Sequence, residues 1–135
     1  EENLQLTGAY KDRMKFRLAE TYLLLAEAYL RQDMPDKAAD AVNEVRRRAK
    51  VSDVSDDEMT MDFLLDERIR ELYGEESRRF TLIRTGKLLE RVRKYNPEAR
   101  DLIQDFHVLW PIPQAIRDAN VGNFPQNPGY EGYEG

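Results

Sequence analysis

Between residues 15 and 32 the chain has apolar side chains at helical spacing and almost no polar face to set against them. Leu18, Tyr22, Leu25, Ala26 and Tyr29 form one stripe, while Leu23, Leu24, Ala28 and Leu30 lie off it. A helix that is apolar around most of its circumference is stable only when neighbours cover it on several sides. A helix-on-helix architecture follows, and with it a search for the partners.

The first partner comes next in the chain. Asp33 is placed to cap a second helix, with Pro35 tolerated in its first turn. Ala38, Ala41, Val42, Val45 and Ala49 line one face of that helix, and their small size lets two helices approach closely. The expected product is an antiparallel hairpin over residues 14–50. The order Tyr22, Leu25, Ala26, Tyr29, Ala38, Val42, Val45 resembles a tetratricopeptide unit. One such unit cannot bury its own faces, so further helices of this chain or of a longer parent must cover it.

Residues 51–59 read as an acidic linker. Thr60 is the expected N-cap of a third helix, running to about Tyr73, with Met61, Leu64, Leu65, Ile69 and Leu72 inward and Gly74 ending or bending it. A short helical turn over residues 79–84 should stop at Gly86. A fourth helix, residues 87–95, has Leu88, Leu89, Val92 and Tyr95 as its apolar face and closes at Asn96-Pro97. Val108-Leu109-Trp110-Pro111-Ile112-Pro113 must be extended. Residues 120–135 are rich in Gly, Pro and Asn and are expected to be an irregular tail, frayed at its end. The expected fold is therefore all-α: the tetratricopeptide-like hairpin, further helices and an irregular Pro/Gly-rich C-terminal segment. The 135 residues are read as one domain cut from a longer chain. The sequence opens on Glu1-Glu2-Asn3, without an initiator Met, signal peptide or lipidation site to read, so targeting information is expected upstream.

Three segments in register resemble a known family. They are residues 17–28 (RLAETYLLLAEA), residues 63–88 (FLLDERIRELYGEE, then RRF, L and RTGKL), and residues 109–114 (LWPIPQ) followed by Asn120 and residues 126–130 (QNPGY). In that order they are similar to the closing part of SusD/RagB-type outer-membrane nutrient-binding lipoproteins. The resemblance implies a non-enzymatic protein that captures oligosaccharide or glycan at the cell surface through loops upstream of this segment. It also implies a TonB-dependent outer-membrane transporter as partner, and a membrane attachment made only through an upstream lipid anchor. Nothing in it assigns ligand residues to these positions, and neither the glycan nor the transporter can be named. The rival reading is a free-standing helical-repeat interaction module. Against it stand the lack of a second hairpin at fixed period and the proline-rich tail.

The residues give no constellation for catalysis, metal or cofactor. His107 is the sole histidine and cysteine is absent, so metal ligation and thiol chemistry lack partners. Glu67 with Glu71, Glu75 with Glu76, and Asp56 with Asp57 are paired carboxylates, but hydrolysis of a glycoside needs two facing each other across a cleft. Residues 53–58 lack the glycine at the sharp turn and the terminal bidentate glutamate at loop spacing of a calcium loop. Arg46-Arg47-Arg48 with Lys50 is a solvated helix end rather than a phosphate patch, and the net charge of −5 disfavours nucleic acid. Among aromatics that could stack on sugars, Trp110 reads as a core plug, while Tyr130 and Tyr133 sit in the tail.

One charged residue falls on an apolar stripe. On a helical projection Arg68 lies between Leu64 and Leu72. It is expected to be buried in an ion pair, with Glu27 favoured over Glu20, Glu71 or Glu75 as acceptor, because a carboxylate on the apolar first helix also needs a partner.

Overall fold

The computed structural model describes residues 16–133. The elements are α1 (Leu18–Leu30), α2 (Pro35–Arg48), a 3-10 turn (Asp56–Glu58), α3 (Met61–Glu71), α4 (Arg78–Arg84), α5 (Leu88–Tyr95), a second 3-10 turn (Asp105–Val108) and α6 (Gln114–Asp118). No strand occurs among the described residues, and the chain is all-α as expected. Two compact units divide it, residues 1–76 and residues 77–135.

In the first unit α1 and α2 form the hairpin, and α3 packs onto α1. Residues 14 and 15, the start of the expected hairpin range, lie outside the described residues. The face α1 buries matches the expected stripe only in part. Ala26 is buried and Tyr22 and Tyr29 pack against the core, but Ala19 and Leu23 join them there, whereas Leu18 is 67% exposed and Leu25 also faces outward. A helix apolar all round offers no unique inner face, so the partner decides. Ala38, Ala41, Val42 and Val45 of α2 are buried against it, and the alanines on both helices permit close approach. Ala49, expected on that face, is exposed at the C-cap of α2.

Helix ends explain two further differences. Asp33 does not cap α2, whose N-cap is Met34, without a side-chain bond. Asp33 instead sits at φ +58, and the N–H groups of Asp33 and Met34 bond the carbonyls of Leu30 and Tyr29. It therefore closes α1 in a left-handed turn, a conformation that Asp tolerates better than most residues. Lys50, also at φ +58, closes α2 in the same pattern, with its own N–H and that of Val51 bonding Arg47 and Arg46. Gly86, at φ +71, does so for α4 as expected. Thr60 caps α3 as expected, its hydroxyl accepting from the Phe63 N–H at 3.2 Å.

Residues 51–59 are more than a linker. Val54 and Met59 are buried in the core. The buried Asn43 amide bonds both backbone groups of Val54, at 2.8 and 3.0 Å, tying this connection to α2. Ser55 and Glu58 close a capping box around the 3-10 turn.

In the second unit α4 and α5 pack together, and the 3-10 turn at residues 105–108 lies against α5. Of the segment 108–113 expected to be extended, Val108 instead closes the second 3-10 turn, Leu109 is extended, and residues 110–113 carry no helix. The segment after residue 120 is irregular yet well tied. Gln126 is buried, and its amide accepts from the Ile112 N–H at 2.7 Å and donates to the Ile112 carbonyl at 2.9 Å. Asn127 donates to the Trp110 carbonyl at 2.7 Å, and the Tyr130 hydroxyl to that of Leu109 at 2.9 Å. Tyr130 is thus half-buried with its hydroxyl engaged, while Tyr133 is the more exposed of the two.

Candidate functional site

Two arrangements carry charge or aromatic surface, one in each unit. In the first unit, arginines and carboxylates of α1, α2 and α3 form a seam. Arg17, just before α1, pairs with Glu71 and with Glu75, the latter at 2.5 Å. Arg48 shares Glu71 at 2.7 Å. Arg46 and Arg70 share Glu67 at 2.7 and 2.9 Å, and both guanidinium groups lie over the Phe63 ring. Arg47 meets Asp53 and Glu44. Arg46 is thus drawn into a partly buried pair, while Arg47 and Arg48 keep side chains more than half exposed, as a solvated helix end should.

Arg68 is buried as its position on the projection demands, with 2% of its surface exposed. Its partner differs from the expected one. Nε and Nη2 reach Glu76 Oε2 at 2.8 and 2.5 Å, and Glu20 lies 3.7 Å from Nη2. Glu27 accepts from Arg31 one turn on, at 3.1 Å. The projection placed Arg68 correctly but could not show that the chain turns back after Gly74, at φ +76, to bring Glu76 under α3.

These pairings bear on chemistry. A general acid at neutral pH needs a raised carboxyl pKa. The Arg17 guanidinium holds the Glu75 carboxyl below the ordinary carboxylate range, and hydrogen bonds from Ser55 do the same for Glu58. A carboxyl whose pKa falls on folding contributes stability above its unfolded pKa, and that contribution is lost as pH falls through the folded value. Acidification below about pH 4.5 is therefore expected to lower the urea midpoint. Glu75→Gln should flatten part of that dependence, and an unchanged profile would show that the Arg17 pair contributes nothing.

In the second unit the aromatic cluster joins Phe106, His107 and Tyr130. Tyr130 stands edge-on to Phe106 at 4.9 Å. Trp110 is no core plug: the residue is 57% exposed, and the Arg79 guanidinium lies 4.2 Å from the centre of its ring. With Pro111 and Pro113 holding the segment extended, the indole is presented as a platform. Arg79 also donates to the His107 carbonyl. Beside it runs a cleft of about 340 Å³, floored by Val92, Ala99 and Ile103, edged by Arg79, Asn96 and His107, with the exposed Leu102 at its mouth. Sequence reasoning passed over this cleft because its lining comes from α4, α5 and the loop after Asn96, with no local motif. Asp56 and Asp57 lie exposed on the 3-10 turn of the first unit. Among the described residues no cluster of three His, Asp or Glu side chains is arranged to hold a metal, and no helix is long and apolar enough to cross a membrane.

A helical hairpin with packed satellites, followed by a short helical unit clamped by its own tail, defines an all-α chain of tetratricopeptide-like type. The SusD family model matches residues 2–130, and the chain belongs to that family. It is 36% identical over 113 residues to SusD-like protein P25 of Formosa agariphila, covering 76% of this chain and 21% of that protein. It is 35% identical over 125 residues to starch-binding protein SusD of Bacteroides thetaiotaomicron, covering 86% of this chain and 21% of that protein. SusD-like protein P38 of Formosa agariphila is 32% identical over 108 residues, covering 72% of this chain and 20% of that protein. The chain thus spans about a fifth of the length of these curated relatives. No solved structure matches it at a significant level.

Proposed function

We propose that this chain is the closing helical segment of a non-catalytic, surface-exposed glycan-binding lipoprotein of the outer membrane, acting with a TonB-dependent transporter in oligosaccharide uptake. The observation that carries the reading is the family match across nearly the whole chain, with starch-binding protein SusD among its relatives. The pairing of Glu67, Glu71, Glu75 and Glu76 with arginines supports the non-catalytic part, because each of these carboxylates is already engaged within the fold. In this reading the segment is scaffold: it supports glycan loops upstream and the surface that meets the transporter, and the whole chain described here forms one functional domain of the longer protein.

The test uses the full-length protein beside the 135-residue chain. The full-length protein is expected to bind starch-type oligosaccharides in calorimetry, to release no reducing sugar from them, and to co-purify with an outer-membrane transporter. The 135-residue chain should bind neutral oligosaccharides weakly or not at all. Micromolar binding by that chain would overturn the scaffold assignment, and hydrolysis by the full-length protein would overturn the non-catalytic one.

A further inference from the structure

We propose that the cleft between α5 and residues 96–107 is a subsite for an acidic sugar, holding the carboxylate of a hexuronate residue against Arg79. The sugar part of this inference rests on the glycan-capture reading. The carboxylate part rests on the chemistry of the cleft.

Three polar side chains edge the cleft, and each has only donors left to offer. Arg79 has no acceptor function. Its Nη2 donates to the His107 carbonyl, its Nε is buried without a hydrogen-bond partner, and its face lies on Trp110. Among the described residues no carboxylate lies within salt-bridge range of it. Asn96 has its Oδ1 engaged by the N–H groups of Glu98 and Ala99, both at 3.1 Å, which leaves the amide NH2. His107 Nδ1 accepts from the Gln104 N–H at 2.8 Å, which fixes the neutral ring's proton on Nε2. A rim made only of donors, with one cation among them, is complementary to a ligand rich in acceptors and carrying negative charge. The floor of Val92, Ala99 and Ile103 supplies the apolar surface on which the C–H face of a sugar ring rests. The volume of about 340 Å³ is at the small end for ligand sites and suits one sugar residue.

Trp110 is the only tryptophan of the chain and lies under the Arg79 guanidinium, so its emission reports a ligand that draws on that cation. The experiment titrates the 135-residue chain with glucuronate, glucose and acetate at constant ionic strength, following Trp110 fluorescence. Glucuronate is expected to give a saturable change half-complete on the order of 1 mM, the affinity a ligand of about thirteen heavy atoms supports. Glucose and acetate should give none. Arg79→Gln should abolish the response. Leu102→Glu, at a side chain 71% exposed and so tolerated by the fold, should weaken it at least about fivefold by placing a like charge at the mouth. No saturable change with glucuronate, an equal response to glucose or acetate, or a half-saturation unmoved by Leu102→Glu would each overturn the subsite. If the full-length protein still captures neutral glycan, the subsite alone has failed. If it captures none, the glycan-capture reading has failed independently.

Discussion

Replacing Arg68 with alanine should cost the first unit about 3–5 kcal/mol, since it takes from the buried Glu76 carboxylate a guanidinium that lies 2.5 Å away. A domain of this size has roughly 5–15 kcal/mol in total, so much of the unit's stability depends on one guanidinium. Arg70→Ala, two residues on, removes a half-exposed pair with Glu67 and should cost about 0.5 kcal/mol or less. Urea unfolding followed by helical circular dichroism compares the two, and equal midpoints would show that the Arg68–Glu76 pair is solvated. Because Arg68 Nη1 is buried without a partner, the pair is not fully compensated even in the folded chain. A double replacement by Met at 68 and Leu at 76 is therefore expected to recover most of the loss.

Gly129→Ala should destabilise the second unit by about 2–4 kcal/mol, combining the strain of a left-handed residue with forced displacement of a ring. The glycine has φ +86, and a Cβ built on it would lie 2.2 Å from Phe106 Cγ. Phe106 cannot retreat without leaving Tyr130, whose hydroxyl holds Leu109. Gly86→Ala in the same unit provides the comparison: φ +71, with nothing within 4 Å of the added methyl, so about 1–2 kcal/mol from the backbone alone. Trp110 lies in this unit and its fluorescence reports the unfolding. Equal losses in the two variants would mean that Phe106 yields freely and does not clamp the tail.

The helices were legible because each carries a local signal: the small-residue face of α2, the Thr60 cap, the Gly86 stop. The orientation of α1 was legible only in part, since a helix apolar on every side takes its inner face from the neighbour it meets: Tyr22, Ala26 and Tyr29 turn inward as their spacing suggests, Leu18 and Leu25 do not. Arg68 shows the same division. Its place between Leu64 and Leu72 was readable from spacing, but its acceptor lies eight residues on, beyond a turn whose path no periodicity records. Asn43 was passed over for a related reason: an asparagine amid alanines and valines gives no sign that it will bond Val54.

In the candidate site the chemistry was less visible still. Trp110, between Leu109 and Ile112, carried the pattern of a core residue, and burial patterns say nothing about a chain held open by prolines on the far side of its neighbours. The donors of the cleft come from three elements, and their acceptors are removed by local hydrogen bonds that only the folded backbone creates.

The amide of Gln126 has a further consequence for how the protein behaves in company. Residues 111–113 are an apolar stretch outside any helix, with both prolines exposed and Ile112 half-buried, the kind of edge on which chains of different molecules add strands and aggregate. Pro111 and Pro113 have no N–H to lend, and the one N–H between them, that of Ile112, is already taken by Gln126, which occupies the Ile112 carbonyl as well. A side chain thus fills the place of a neighbouring strand, and the segment offers no backbone donor for another molecule to extend.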